Sequence, residues 1–92
     1  MRFRWIDWNI EHLAQHGVDP VEAESVVTKA RAPFPQGRSD GKYVVWGPGR
    51  GGRLIQIVYV IDEVGDLFVI HGRPLGQRGK NVFGGGVNEQ KA

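Results

Sequence analysis

The chain has 92 residues, with 12 lysines and arginines against 10 acidic residues, 14 glycines and no cysteine. That length fits one domain and leaves no room for a second, and without cysteine there is neither a disulfide framework nor a thiolate site, which favours an intracellular, cytoplasmic protein. The first eight residues, MRFRWIDW, carry three charges and no apolar h-region, so no signal peptide is expected. The longest apolar-rich run, Leu54–Ile61, is too short to span a bilayer.

In chain order, Phe3-Arg4-Trp5 reads as a short edge strand or a lead-in. Asp7 is placed to cap a first helix that carries Ile6, Ile10 and Leu13 on one face. His16-Gly17 closes it, because glycine tolerates the left-handed conformation just past a helix end. Asp19-Pro20-Val21-Glu22 is a sharper start signal. Asp19 accepts from first-turn amides, Pro20 suits the first helical position, and Glu22 reaches back to complete a capping box. Ala23, Val26, Val27 and Ala30 then form an apolar stripe, and Pro33 and Pro35 stop this second helix by about Ala32.

From there the period changes. Residues 42–46, 54–61 and 67–70 are rich in β-branched and aromatic side chains and read as strands. Connections of about five and about four residues make them hairpins. The fold class expected is therefore α+β: two N-terminal helices packed on an antiparallel β-meander of three strands, or four, with a short or partly disordered C-terminal segment. The middle strand is apolar on both faces and belongs at the sheet centre, with the helices on one side and a C-terminal segment or another subunit on the other. Residues 84–92 read as a disordered tail, which leaves residues 1–83 as the domain.

Charge is unevenly spread. Residues 31–60 hold five basic groups and one acidic, and residues 71–92 return to +3, while residues 61–70 hold three acidic groups. That excess suits a polyanion such as RNA. Gly47-Pro48-Gly49-Arg50-Gly51-Gly52 contains GxGxxG, but Arg53 opens a strand where a dinucleotide fingerprint needs a helix, so the segment reads as an ordinary Gly-rich hairpin loop, with a loop that touches nucleic-acid phosphate through Arg50 as the alternative. His12 and His16 are four apart, yet no third ligand or HExxH context accompanies them, and no metal site is expected. His71 sits at the end of the third strand beside Gly72-Arg73; a strand-end His is more often a hydrogen-bonded structural residue, while the pairing with Arg also suits acid–base work next to a phosphate-binding group. In a meander, Arg53, His71 and Arg73 share one end of the sheet, with Lys42 about a strand length away; Arg78 and Lys80 add further positive charge.

The residues also resemble a family. Phe3-x-Trp5, the run Asn9-Ile10-Glu11-His12-Leu13, His16-Gly17-Val18, Val21-Glu22-Ala23-Glu24 and Val26-Val27 are similar to the BrnT-like toxins of prokaryotic type II toxin–antitoxin modules. The likeness resumes at Gly52-Arg53-Leu54, Val58-Tyr59 and Ile70-His71-Gly72-Arg73-Pro74-Leu75. It implies a RelE-like fold and a metal-independent ribonuclease that cleaves mRNA without a cofactor. It also implies a cognate antitoxin, of the ribbon-helix-helix type, that neutralises it.

Carried over by position, Arg53 and Arg73 match basic residues of the family, and Lys42 stands where many members have Arg. His71 stands where the family usually has a small residue. The residue reading and the resemblance together give a candidate catalytic set of Arg53, His71 and Arg73, with Lys42, Arg50, Arg78 and Lys80 as RNA contacts. One departure is the segment from Gly76 to Phe83, where two glycines and a phenylalanine replace a charged helix ending in Tyr. A non-catalytic RNA- or protein-binding member of the same fold is the alternative, and homo- or hetero-oligomerisation is open to either.

Overall fold

A computed structural model describes residues 1–76. Arg78, Lys80, the expected segment after Pro74 that runs to residue 83, and the expected tail all fall wholly or mainly outside the described residues. The elements in order are β1 (Phe3–Arg4), α1 (Asp7–Ala14), α2 (Pro20–Thr28), β2 (Gln36–Gly37), β3 (Tyr43–Pro48), β4 (Leu54–Ile61) and β5 (Leu67–Pro74). The fold is α+β, with two helices on a five-stranded sheet of order β1-β5-β4-β3-β2.

The β3–β4–β5 meander is antiparallel as the hairpin loops require, and β4 lies at its centre. Two short edge strands extend it. β2 pairs antiparallel with β3, whereas β1 pairs parallel with β5 through Phe3–Leu67 and Arg4–Phe68, so the sheet is mixed and not purely antiparallel. Strands of two residues carry no readable period. β1 is held by contacts remote in sequence: Leu67 N donates to the Arg2 carbonyl at 2.7 Å, and Arg2 and Arg4 pair with Asp66 and Asp62.

α2 begins as expected, with Asp19 Oδ1 accepting from Glu22 N at 2.9 Å and Pro20 in the first turn. It ends at Thr28, a few residues before Ala32. α1 differs in both its cap and its face. Ile6 is the capping residue, and its amide donates to Asn9 Oδ1 at 2.8 Å, so Asp7 lies inside the helix. Asn9 and Leu13 are buried while Ile6 and Ile10 are exposed. A buried Asn in place of an apolar residue hid the true face from a hydrophobic count. At the other end Gly17 takes φ +73°, and Gly17 N and Val18 N bond back to Ala14 O and Leu13 O. These bonds satisfy carbonyls that the helix end would leave open.

The core lies between the helices and one face of the sheet. Leu13, Val18, Ala23, Val26 and Val27 meet Val45, Ile55, Ile57, Tyr59, Leu67 and Val69. Removing one fully buried aliphatic side chain such as Ile57 from water stabilises the fold by about 1.5–3 kcal/mol. The opposite sheet face carries the alternating residues: Val44–Val58–His71 form one cross-strand row and Trp46–Gln56–Arg73 the next. Side chains of α1 reach this face at β5, where Trp8, His12 and His16 meet Phe68 and His71, and the candidate site lies there.

Candidate nucleic-acid interface

β1 stops at Arg4, so from Val69 onward β5 has no strand on its outer side. α1 fills that position. Asn9, fully buried, donates through Nδ2 to the carbonyls of Val69 and Arg4, each at 3.1 Å, and so satisfies strand-edge backbone directly. Gly72 lets α1 come close, since a Cβ there would lie 2.9 Å from Ile57 Cδ1 and 3.1 Å from Leu13 Cγ.

That close approach builds a ring cluster. Phe68 on β5 stacks with Trp8 on α1 at 6.1 Å between centroids, and Trp8 stacks with His12 at 5.1 Å and 7°. Arg4 Cζ lies 4.3 Å over the Phe68 ring. His12, His16 and His71 complete the cluster, with centroid separations of 6.4, 6.0 and 5.7 Å. The third imidazole missing from the sequence motif is therefore His71, 55 residues beyond His16. Even so, among the described residues no group of three histidine or acidic side chains stands where it could hold a metal ion.

Burial pushes the His71 imidazole below its ordinary value near 6.5, and the nearby positive charges of Arg73, His16 and His12 add to the shift. The shift favours the neutral ring, the form able to accept a proton. Arg73, next but one in the chain, is exposed and makes no ion pair among the described residues.

Arg53 is placed quite differently. Its guanidinium donates from Nη2 to Glu22 Oε1 at 2.8 Å and from Nε to Glu22 Oε2 at 3.3 Å, and Nη2 also reaches the Gly17 carbonyl at 2.7 Å. Glu22 is only 3% exposed and takes a further bond, from the Arg50 amide at 2.7 Å. Burial pushes the Glu22 carboxyl up, but the bonds from Arg53 and Arg50 outweigh it and hold the group below the usual range. So Glu22 does not close a capping box, and Arg53 lies on the helix side of the sheet while His71 and Arg73 lie on the other. They share an end of the sheet but not a face.

Two more of the expected RNA contacts are also paired. Arg50 pairs with Asp19, and Lys42 Nζ lies 3.7 Å from Asp40. The Gly-rich loop holds a single 3-10 turn, Arg50–Gly52, where a dinucleotide site needs a helix. A Cβ at Gly49 would overlap the Glu22 carboxylate and lie 2.7 Å from Ile55 Cγ1, so this loop is built to seat Glu22. Trp8, Phe68, Asn9 and Glu22 were not singled out as site residues from the sequence. For Trp8 the available signal was its i, i+4 spacing to His12 and onward to His16.

No family model, curated protein or solved structure matches the chain. Among the described residues no helix is long and apolar enough to cross a membrane.

Proposed function

We propose that this chain is a metal-independent ribonuclease of the BrnT-like, RelE-like toxin kind, centred on His71 and Arg73. The observation that carries the reading is the His71 imidazole, with two more imidazoles within about 6 Å of it, near the exposed Arg73 guanidinium, which makes no ion pair among the described residues. RNA supplies its own nucleophile. His71 takes the proton of a 2′-hydroxyl, the 2′-oxygen attacks the adjacent phosphorus, and the bond to the 5′-oxygen breaks. Arg73 grips the phosphate through its planar fork and stabilises the charge that gathers on the phosphorane. The departing 5′-oxygen takes up a proton in the same step, with the His12 and His16 imidazoles nearest to His71 as its route, leaving a 2′,3′-cyclic phosphate. Arg53 works by position: its bond to the Gly17 carbonyl fixes the turn that follows His16.

The resemblance noted in the sequence supports the same reading and supplies a partner, a cognate ribbon-helix-helix-type antitoxin, in a cytoplasmic setting. The commitment of Arg53 to Glu22 favours a second reading, RNA or protein binding without cleavage, because it withdraws one group from the expected catalytic set. Purified full-length chain incubated with single-stranded RNA in EDTA separates the two. His71→Gln should lower cleavage about 10²-fold or more, and Arg73→Lys, which keeps charge but loses the fork, about 10²-fold. Equal cleavage by wild type and both variants would remove this site from the mechanism.

A further inference from the structure

A second feature of the open sheet face lies across it from Arg73. Two adjoining depressions, of about 440 and 510 Å³, share Pro33, Phe34 and Trp46 as a common wall. Each is within the size range of small-ligand sites. The Phe34 and Trp46 rings lie 5.9 Å apart and 30° from parallel, and Trp46 Nε1 donates to Gln56 Oε1 at 2.9 Å, which fixes the indole plane. Lys29 and Arg31 border one depression and Arg38 the other, and no carboxylate among the described residues lines either. Among the described residues Lys29 and Arg31 make no ion pair, and Arg38 has only Asp40 at 3.9 Å.

We infer that this groove is a base-stacking subsite for single-stranded RNA, with Phe34 and Trp46 as its aromatic wall and Lys29, Arg31 and Arg38 on the flanking phosphates. Aromatic surface bordered by cations is how unpaired nucleic acid is held without sequence readout, because every base has a π-face and every nucleotide a charge. An apolar peptide would use the rings and leave three cations idle. The groove is also continuous with the site already described: Trp46, Gln56 and Arg73 form one cross-strand row, which at about 4.8 Å per strand puts Arg73 roughly 10 Å from Trp46. A strand with one phosphate at Arg73 therefore reaches the groove with a neighbouring nucleotide. The subsite rests on the reading of the chain as an RNA-binding protein, and not on cleavage.

The test uses full-length protein and fluorescence anisotropy with labelled octauridine, a uridine dinucleotide, an abasic chain of octamer length and poly-glutamate. Lys29→Gln with Arg31→Gln changes two exposed side chains. It should weaken octamer binding and flatten the slope of log affinity on log salt by about 1.4, the share of two phosphates on a single strand. Phe34→Leu keeps apolar volume but removes a ring, and should weaken the octamer roughly tenfold with the slope unchanged. The dinucleotide, with its one phosphate at Arg73 and one nucleoside in the groove, should lose affinity in Phe34→Leu and keep it in the Lys29→Gln, Arg31→Gln protein.

Octamer affinity unchanged in both variants, with thermal midpoints at the wild-type value, would overturn the subsite. So would an abasic chain that binds as tightly as octauridine, or poly-glutamate that competes as well as RNA. Wild-type protein that binds the octamer through this groove yet cleaves nothing would uphold the subsite and defeat the ribonuclease reading. Cleavage that persists while both variants bind normally would do the reverse.

Discussion

Glu22→Gln would leave Arg53 and the Arg50 amide facing a neutral carboxamide inside the fold. Breaking a buried pair costs about 3–5 kcal/mol, and because Arg53 is itself 38% exposed the expected loss here is about 2 kcal/mol. Urea unfolding measures it, and a loss under about 0.5 kcal/mol would mean that the pair is not a structural clamp. The pH dependence follows from the same groups. Glu22, Asp19 and Asp62 are held below their ordinary carboxylate values, so their contribution is present above about pH 4.5 and is lost as pH falls through the folded values. His71 is also lowered, which gives the same sign: the folded state prefers the neutral ring and loses stability as pH drops below about 6.5. The urea midpoint should therefore decline gently below pH 6.5 and steeply below 4.5, with His71→Gln removing the first phase only. Arg53 and Glu22 were each noticed in the sequence, one as a cation and one as a helix cap. Their pairing across 31 residues was not legible, because no local spacing encodes it.

At the scale of elements, the seam between α1 and β5 decides whether the histidines meet. Gly72→Ala forces a methyl between Ile57 and Leu13, an overpacking change of about 1–3 kcal/mol that should lift α1 from β5. The expected signature is altered His12 and His16 side-chain resonances together with lower stability; unchanged resonances would mean that α1 is not set by this contact. Asn9→Ala removes the acceptor for Ile6 N and both donors to strand-edge carbonyls, and should cost about 2–3 kcal/mol in urea unfolding. Asp19→Ala should cost about 1 kcal/mol through loss of the α2 cap. α2 was legible because cap, proline and apolar stripe all agree. α1 was not, because its buried face contains a polar Asn whose partners come from β1 and β5. β4 and β5 were legible from β-branched runs, while β1 and β2 owe their existence to partners and have no period of their own.

For the molecule as a whole, basic charge was readable as a sum but not as a supply. Arg2, Arg4, Arg38, Lys42, Arg50 and Arg53 each have an acidic partner, which leaves Arg73, Lys29 and Arg31 as the described basic side chains outside ion pairs. All three border the half-exposed sheet face or its rim. RNA affinity should accordingly fall steeply with salt and be cut more by Arg73→Ala than by Lys42→Ala, a comparison that binding assays at two salt concentrations settle. The most direct measurement is a time course of end-labelled single-stranded RNA with purified, folded, full-length protein in EDTA, with the products analysed for their 3′ ends. The predicted result is cleavage that leaves 2′,3′-cyclic phosphate and falls about 10²-fold in Arg73→Lys. RNA left intact by the folded wild-type chain, free of any bound partner, would contradict it.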